Sequence, residues 1–135
     1  MSRALIGIAS ACTVSLLLLP GCTTTEKPIV KVEGKVKLSD GTPPPAGTKL
    51  LFNPTEGRVG TASATTDADG SFTLTHVTGS TGAEVGKYTV QLTPPEATAK
   101  EFYKLVPKDT AEGSLYAEIK EGMGPLELTV RKKKK

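Results

Sequence analysis

Ile29-Val30-Lys31-Val32-Glu33-Gly34-Lys35-Val36-Lys37-Leu38 alternates apolar and charged side chains almost without a break. Val30, Val32, Val36 and Leu38 fall on one side, Lys31, Glu33, Lys35 and Lys37 on the other, and Gly34 keeps phase with the valines. A repeat of two is that of a strand with one face buried and one face wet, so this stretch predicts a half-buried β-strand. Asp40-Gly41 and Pro43-Pro44-Pro45 end it, because proline has no N–H to give to a ladder.

The pattern continues in both quality and spacing. Leu50, Leu51 and Phe52 predict a second strand, closed by Asn53-Pro54. Residues 61–66 make a weak third, apolar only at Ala62 and Ala64. Asp67-Ala68-Asp69-Gly70 is a turn, after which Phe72, Leu74 and His76 share one face of the next strand. Beyond a Gly/Ser/Thr loop, Tyr88, Val90 and Leu92 alternate with Lys87, Thr89, Gln91 and Thr93. Leu115, Ala117 and Ile119, then Leu126, Leu128 and Val130, predict two closing strands. Seven short strands with turn signals and no sustained helical stripe predict an all-β, antiparallel Greek-key β-sandwich. Residues 94–113 are left as a long irregular stretch with one helical turn around Ala99–Tyr103, a loop length that covers a sheet edge or carries function.

The chain has 135 residues, enough for one domain with one modest core. It carries 17 Lys+Arg against 14 Asp+Glu, a net charge of +3. Arg131-Lys132-Lys133-Lys134-Lys135 accounts for the excess, so the basic balance describes a tail and not a surface. With no Trp, few other aromatics and acidic residues throughout, a nucleic-acid face is not expected.

Residues 1–21 have the build of an export signal: Arg3, an apolar run from Ala4 to Leu19, and the small residue Gly21 before a cut. The run of about 16 apolar residues is shorter than the roughly 20 that span a bilayer as a helix. Leu19-Pro20-Gly21-Cys22 resembles the bacterial lipobox, with Pro20 where Ala, Ser, Thr or Val is usual. The resemblance implies cleavage between Gly21 and Cys22 and a diacylglyceryl group on the Cys22 thiol. Cys12 leaves with the signal and Cys22 is consumed, so the mature chain is expected to have no free thiol, no disulfide and no thiolate metal ligand. Residues 22–28 are then a lipid-anchored tether reaching about 23 Å, residues 29–131 the β-sandwich, and residues 132–135 a basic tail.

EGKVKLSDGTPPPAGTKLLFNP, TTDADGSFTL, GKYTVQL and the closing LVPKDTAEGSLYAEIKEGMGPLELTV together resemble carboxypeptidase regulatory-like domains of small bacterial lipoproteins. That resemblance implies a transthyretin-like (prealbumin-like) sandwich of seven strands, with Gly70 in the turn and Tyr88 between the sheets. It implies no peptidase, since in that family the fold accompanies a separate catalytic domain.

The site candidates are few. His76, the only histidine, is in phase with Phe72 and Leu74 and is expected to be buried or at an edge, held by a backbone carbonyl. Asp67-x-Asp69-Gly70 opens like a calcium loop, but Thr78 stands where the closing Glu belongs, so a hairpin turn is the expectation. Related adhesin domains carry a Lys to Asn/Asp isopeptide bond; the closing strand here offers Glu127 instead, and no such bond is expected. Tyr103 and Tyr116 are candidate ligand contacts, as platforms for a sugar. Arg131, Lys132, Lys133, Lys134 and Lys135 are either a solvated tail or a contact for an anionic surface. No catalytic residue, metal or non-covalent cofactor is expected. The leading expectation is a lipid-anchored, non-enzymatic module of the cell envelope, facing the periplasm or the exterior, structural or binding an envelope protein. The alternative is a module that binds an envelope polysaccharide.

Overall fold

The alternating stretch forms two strands: β1 (Ile29–Val30) pairs antiparallel with β7 (Ala83–Glu84), and β2 (Glu33–Leu38) enters a different sheet. Coordinates come from a computed structural model, in which residues 21, 27–56, 60–113 and 115–134 are described. The expected signal segment apart from Gly21, together with Cys22 and Lys135, lies outside the described residues.

The chain is mostly strand, 42% against 13% helix. The remaining elements are β3 (Lys49–Pro54), β4 (Ala62–Thr65), β5 (Ser71–Thr73), β6 (Thr75–His76) and β8 (Gly86–Thr93), then α1 (Glu96–Leu105) and α2 (Lys108–Ala111), and finally β9 (Leu115–Ile119) and β10 (Leu126–Val130). One sheet runs β10-β2-β5 and a larger one β6-β4-β3-β8-β9. Val36, Leu38, Phe72, Leu128 and Val130 from the first, and Leu50, Phe52, Tyr88, Val90, Leu92 and Ile119 from the second, are buried in one apolar cluster. The Phe52 ring joins the two sheets, with its centroid 6.1 Å from that of Phe72 and 6.1 Å from that of Tyr88. Each such side chain contributes about 1.5–3 kcal/mol on burial.

Four expectations are corrected. There are ten described strands and not seven, because short pieces pair separately. Not every pair is antiparallel: β10 runs parallel to β2, with Leu128 opposite Val36 and Val130 opposite Leu38. The segment 120–125 leaves β9 and reaches the β2 ladder at Gly34, and a chain entering there runs alongside β2 with its alternate residues turned to the core. The strand from Phe72 to His76 divides at Leu74: β5 pairs with β2 while β6 pairs with β4. All three of its expected core residues are still buried.

The fourth correction is a helix. Residues 96–105 form three turns of α1, not one. Pro95 starts it with φ near −56° and leaves no side-chain cap, and the Thr98 hydroxyl donates to the Pro95 carbonyl instead (3.2 Å). Only Phe102 of the helix is buried, and Val106 returns to extended backbone before Pro107.

In the turn before β5, Gly70 has φ +84°, and a Cβ there would stand 2.2 Å from the Val36 carbonyl oxygen. Both facts require glycine, as expected from the turn. Asp69 accepts from the Ser71 N–H (3.1 Å) and hydroxyl (2.9 Å), and these bonds, with Lys35 nearby, hold its carboxyl below the ordinary value. The carboxylate is thus engaged in closing the turn.

Candidate functional site

The two solvent faces differ in chemistry because strand alternation places different residues there. Over β2 the exposed charges pair among themselves: Lys31 with Glu33 (2.7 Å), Lys35 with Asp69 (3.9 Å) and Lys37 with Glu127 (3.6 Å). Such exposed pairs contribute about 0–1 kcal/mol each, and they leave the face electrically balanced. The Lys37–Glu127 pair also lies on the solvent side, while the inward positions of β2 and β10 are apolar.

Over the larger sheet the register makes a row of Asn53, Thr89 and Tyr116 across β3, β8 and β9. Tyr116 is 71% exposed. Beside it lies a concavity of about 310 Å³ lined by Thr55, Lys87, Tyr88, Tyr116, Ala117 and Glu118. Thr55 is placed by its N–H, which donates to the Lys87 carbonyl (2.9 Å). Lys87 and Glu118 stand opposite each other in the β8–β9 ladder.

Tyr103 is in a different setting. It is half-buried on α1, edge-on to Phe102 at 5.5 Å. No ring contact joins it to Tyr116 among the described residues, so the two tyrosines do not form one platform.

The C-terminal lysines do not simply trail from β10. The Lys132 side chain pairs with Asp40, and its N–H donates to the Ser39 hydroxyl (3.2 Å). The Lys133 N–H donates to the Leu105 carbonyl (2.8 Å), and its ammonium donates to the Tyr103 carbonyl (3.0 Å). A cation therefore sits on the last carbonyls of α1, where the helix dipole is negative. Arg131 and Lys134 remain exposed.

His76 is buried, as expected, but its partners are not a backbone carbonyl. Nδ1 is 2.8 Å from the Thr78 hydroxyl and accepts from the Thr78 N–H (3.3 Å), which places the proton of the neutral ring on Nε2. Nε2 lies 3.1 Å from Glu84 Oε1 but out of line for a hydrogen bond. Gly60 lies against the ring: a Cβ at 60 would stand 2.3 Å from Nε2. Among the described residues no three His, Cys, Asp or Glu side chains group as metal ligands would.

Tyr88 fills the core, with its hydroxyl donating to the Glu84 carbonyl (2.7 Å). Burial, and to a lesser degree the Glu84 charge, push its pKa up to about 12.

No family model, curated protein or solved structure matches the chain. The sequence alone marks Tyr116 as outward, from its place between Leu115 and Ala117. It does not mark Lys87 and Thr55 as its neighbours, since that depends on which strands pair.

Proposed function

We propose that this protein is a lipid-anchored, non-catalytic β-sandwich module of the cell envelope, structural or protein-binding, with a Greek-key arrangement of the transthyretin-like kind. The observation that carries the reading is Leu19-Pro20-Gly21-Cys22 at the end of a short apolar run. A diacylglyceryl group on Cys22 holds a protein stably, because each buried methylene is worth about 0.8 kcal/mol and two chains suffice where one does not. The short interval between Cys22 and the first described strand at Ile29 would keep the domain near that membrane, on its periplasmic or exterior side.

The quality of the core supports a binding or structural role over catalysis. Its one histidine is enclosed, with Nδ1 engaged by Thr78, so it has no open path to a substrate as a general base. The resemblance to regulatory-like domains points the same way.

Intact-mass measurement of the membrane fraction from a lipoprotein-competent host, beside a Cys22→Ala control, tests the reading. A diacylglyceryl or triacyl adduct on a chain beginning at Cys22 is expected. An unmodified chain in the soluble fraction would overturn the anchor.

A further inference from the structure

A pyranose ring has an apolar face of C–H groups and a rim of hydroxyls that each donate and accept. A protein subsite for it needs a flat aromatic surface beside groups able to bond adjacent hydroxyls. Tyr116 is the most exposed large hydrophobic side chain among those described, and the β8–β9 ladder holds its backbone in place. Lys87 is next to it as a donor and Glu118 as an acceptor, with the Thr55 hydroxyl across the same concavity.

The Thr55 hydroxyl already donates to the Lys87 carbonyl (3.2 Å) and offers a ligand only its lone pairs, while the two charged groups are available. Lys87 forms no ion pair among the described residues, and Glu118 is only loosely engaged by Lys120 at 3.7 Å, with both side chains mostly exposed. One positive and one negative group leave the concavity without net charge, unlike a site for an anion. The row continues through Thr89 and Asn53, about 10 Å across three strands, with uncharged polar side chains. The nearest free backbone edge of this sheet belongs to β9 and is where an extended peptide would pair, whereas the Tyr116 side chain, Lys87 and Glu118 stand on the face beside it.

We propose that the solvent face of β8 and β9 is a sugar subsite. Tyr116 stacks on an uncharged pyranose ring, and Lys87, Glu118 and Thr55 bond its hydroxyls. The proposal rests on the envelope reading only for the source of the sugar, either wall glycan or a neutral surface polysaccharide. The site itself stands on the geometry.

Ligand-observed NMR titration tests it, using the full chain purified in a detergent without a sugar headgroup. The probes are a β-1,4-linked N-acetylglucosamine trisaccharide and a β-1,4-linked glucose trisaccharide. Saturable binding of either supports the site, and the preferred one identifies the source. Tyr116→Ala should weaken binding about tenfold or more, Tyr116→Phe should retain most of it, and Tyr103→Ala should change nothing. Circular dichroism checks that Tyr116→Ala is folded, which its exposure favours. No saturable binding of either sugar at millimolar concentration, or equal affinity in wild type and Tyr116→Ala, overturns the proposal. The Cys22 mass of the same preparation separates the two readings. Sugar binding by an unlipidated chain supports the subsite and sinks the anchor; a lipidated chain that ignores both sugars sinks the subsite alone.

Discussion

Gly34 lies directly opposite Phe72 in the β2–β5 ladder, and the Phe72 ring occupies the space that a side chain at 34 would need. A Cβ there would stand 2.6 Å from Phe72 Cζ and 2.3 Å from the Leu126 carbonyl oxygen. The one break in the apolar alternation of residues 29–38 is thus a packing requirement. Gly34→Ala should destabilise the fold by about 2–3 kcal/mol, since both the ring and the β10 backbone must shift. Urea unfolding checks this, and a midpoint equal to wild type would contradict it.

Tyr88 predicts how stability responds to alkali. Its neutral form is favoured in the fold, with a pKa of about 12 against an ordinary value of 10.0. The folded state therefore holds a proton that the unfolded state has released. Its contribution is fully present below pH 10, then falls as pH rises towards 12, by about 3 kcal/mol in total. Tyr88→Phe should lack this loss, so the advantage of wild type over the variant should shrink across that window and then reverse. At neutral pH the variant should cost about 1 kcal/mol, for the hydroxyl bond to the Glu84 carbonyl.

Asp40 predicts the opposite pH sign. The hydrogen bond from Lys132, then those from the Thr42 hydroxyl and N–H, hold its carboxyl well below the usual carboxylate range. A depressed folded pKa gives a contribution that is present above the ordinary value of 3.8 and disappears as pH falls through the folded value. In a carboxyl-detected NMR titration Asp40 should titrate well below its ordinary value of 3.8, and Lys132→Ala should move it back towards that value. An Asp40 midpoint unchanged by that substitution would show that the pair does not persist in solution.

The two lysines after Arg131 should count where the final two do not. Removing residues 132–135 deletes both bonds of Lys133 to α1, and should cost about 1–2 kcal/mol with faster amide exchange near Leu105. Removing only residues 134–135 should leave both properties unchanged. Equal effects from the two truncations would refute the distinction.

Much of this architecture is legible in the sequence, and the remainder is hidden for identifiable reasons. Alternation reveals which face of a strand is buried, so Val36, Phe72, Tyr88 and Leu128 are all readable as core. It is silent on direction and partner, because a period of two looks the same in a parallel and an antiparallel ladder; hence β10. The stretch from Phe72 to His76 keeps its phase while changing sheets at Leu74, so periodicity cannot show the change. Helix α1 has a single buried residue, Phe102, and one buried position makes no stripe. Tyr116 is visible as an outward aromatic, but its cluster with Lys87 and Thr55 arises only when β3, β8 and β9 align. The docking of Lys133 depends on where α1 ends and that of Lys132 on the turn after β2, which no local pattern in a run of cations records.

The parallel pairing of β10 with β2 also determines how the domain bears load. β2 follows the two-residue β1 near the start of the described chain, and β10 ends just before the C-terminal lysines, so two long strands close to its ends are neighbours pointing the same way. A pull between the two ends drags them past each other along their length. The ladder from Leu126–Gly34 to Val130–Leu38 is then strained as a whole and cannot open one bond at a time. A domain fixed at one end to a membrane and held at the other would resist extension through this pair of strands.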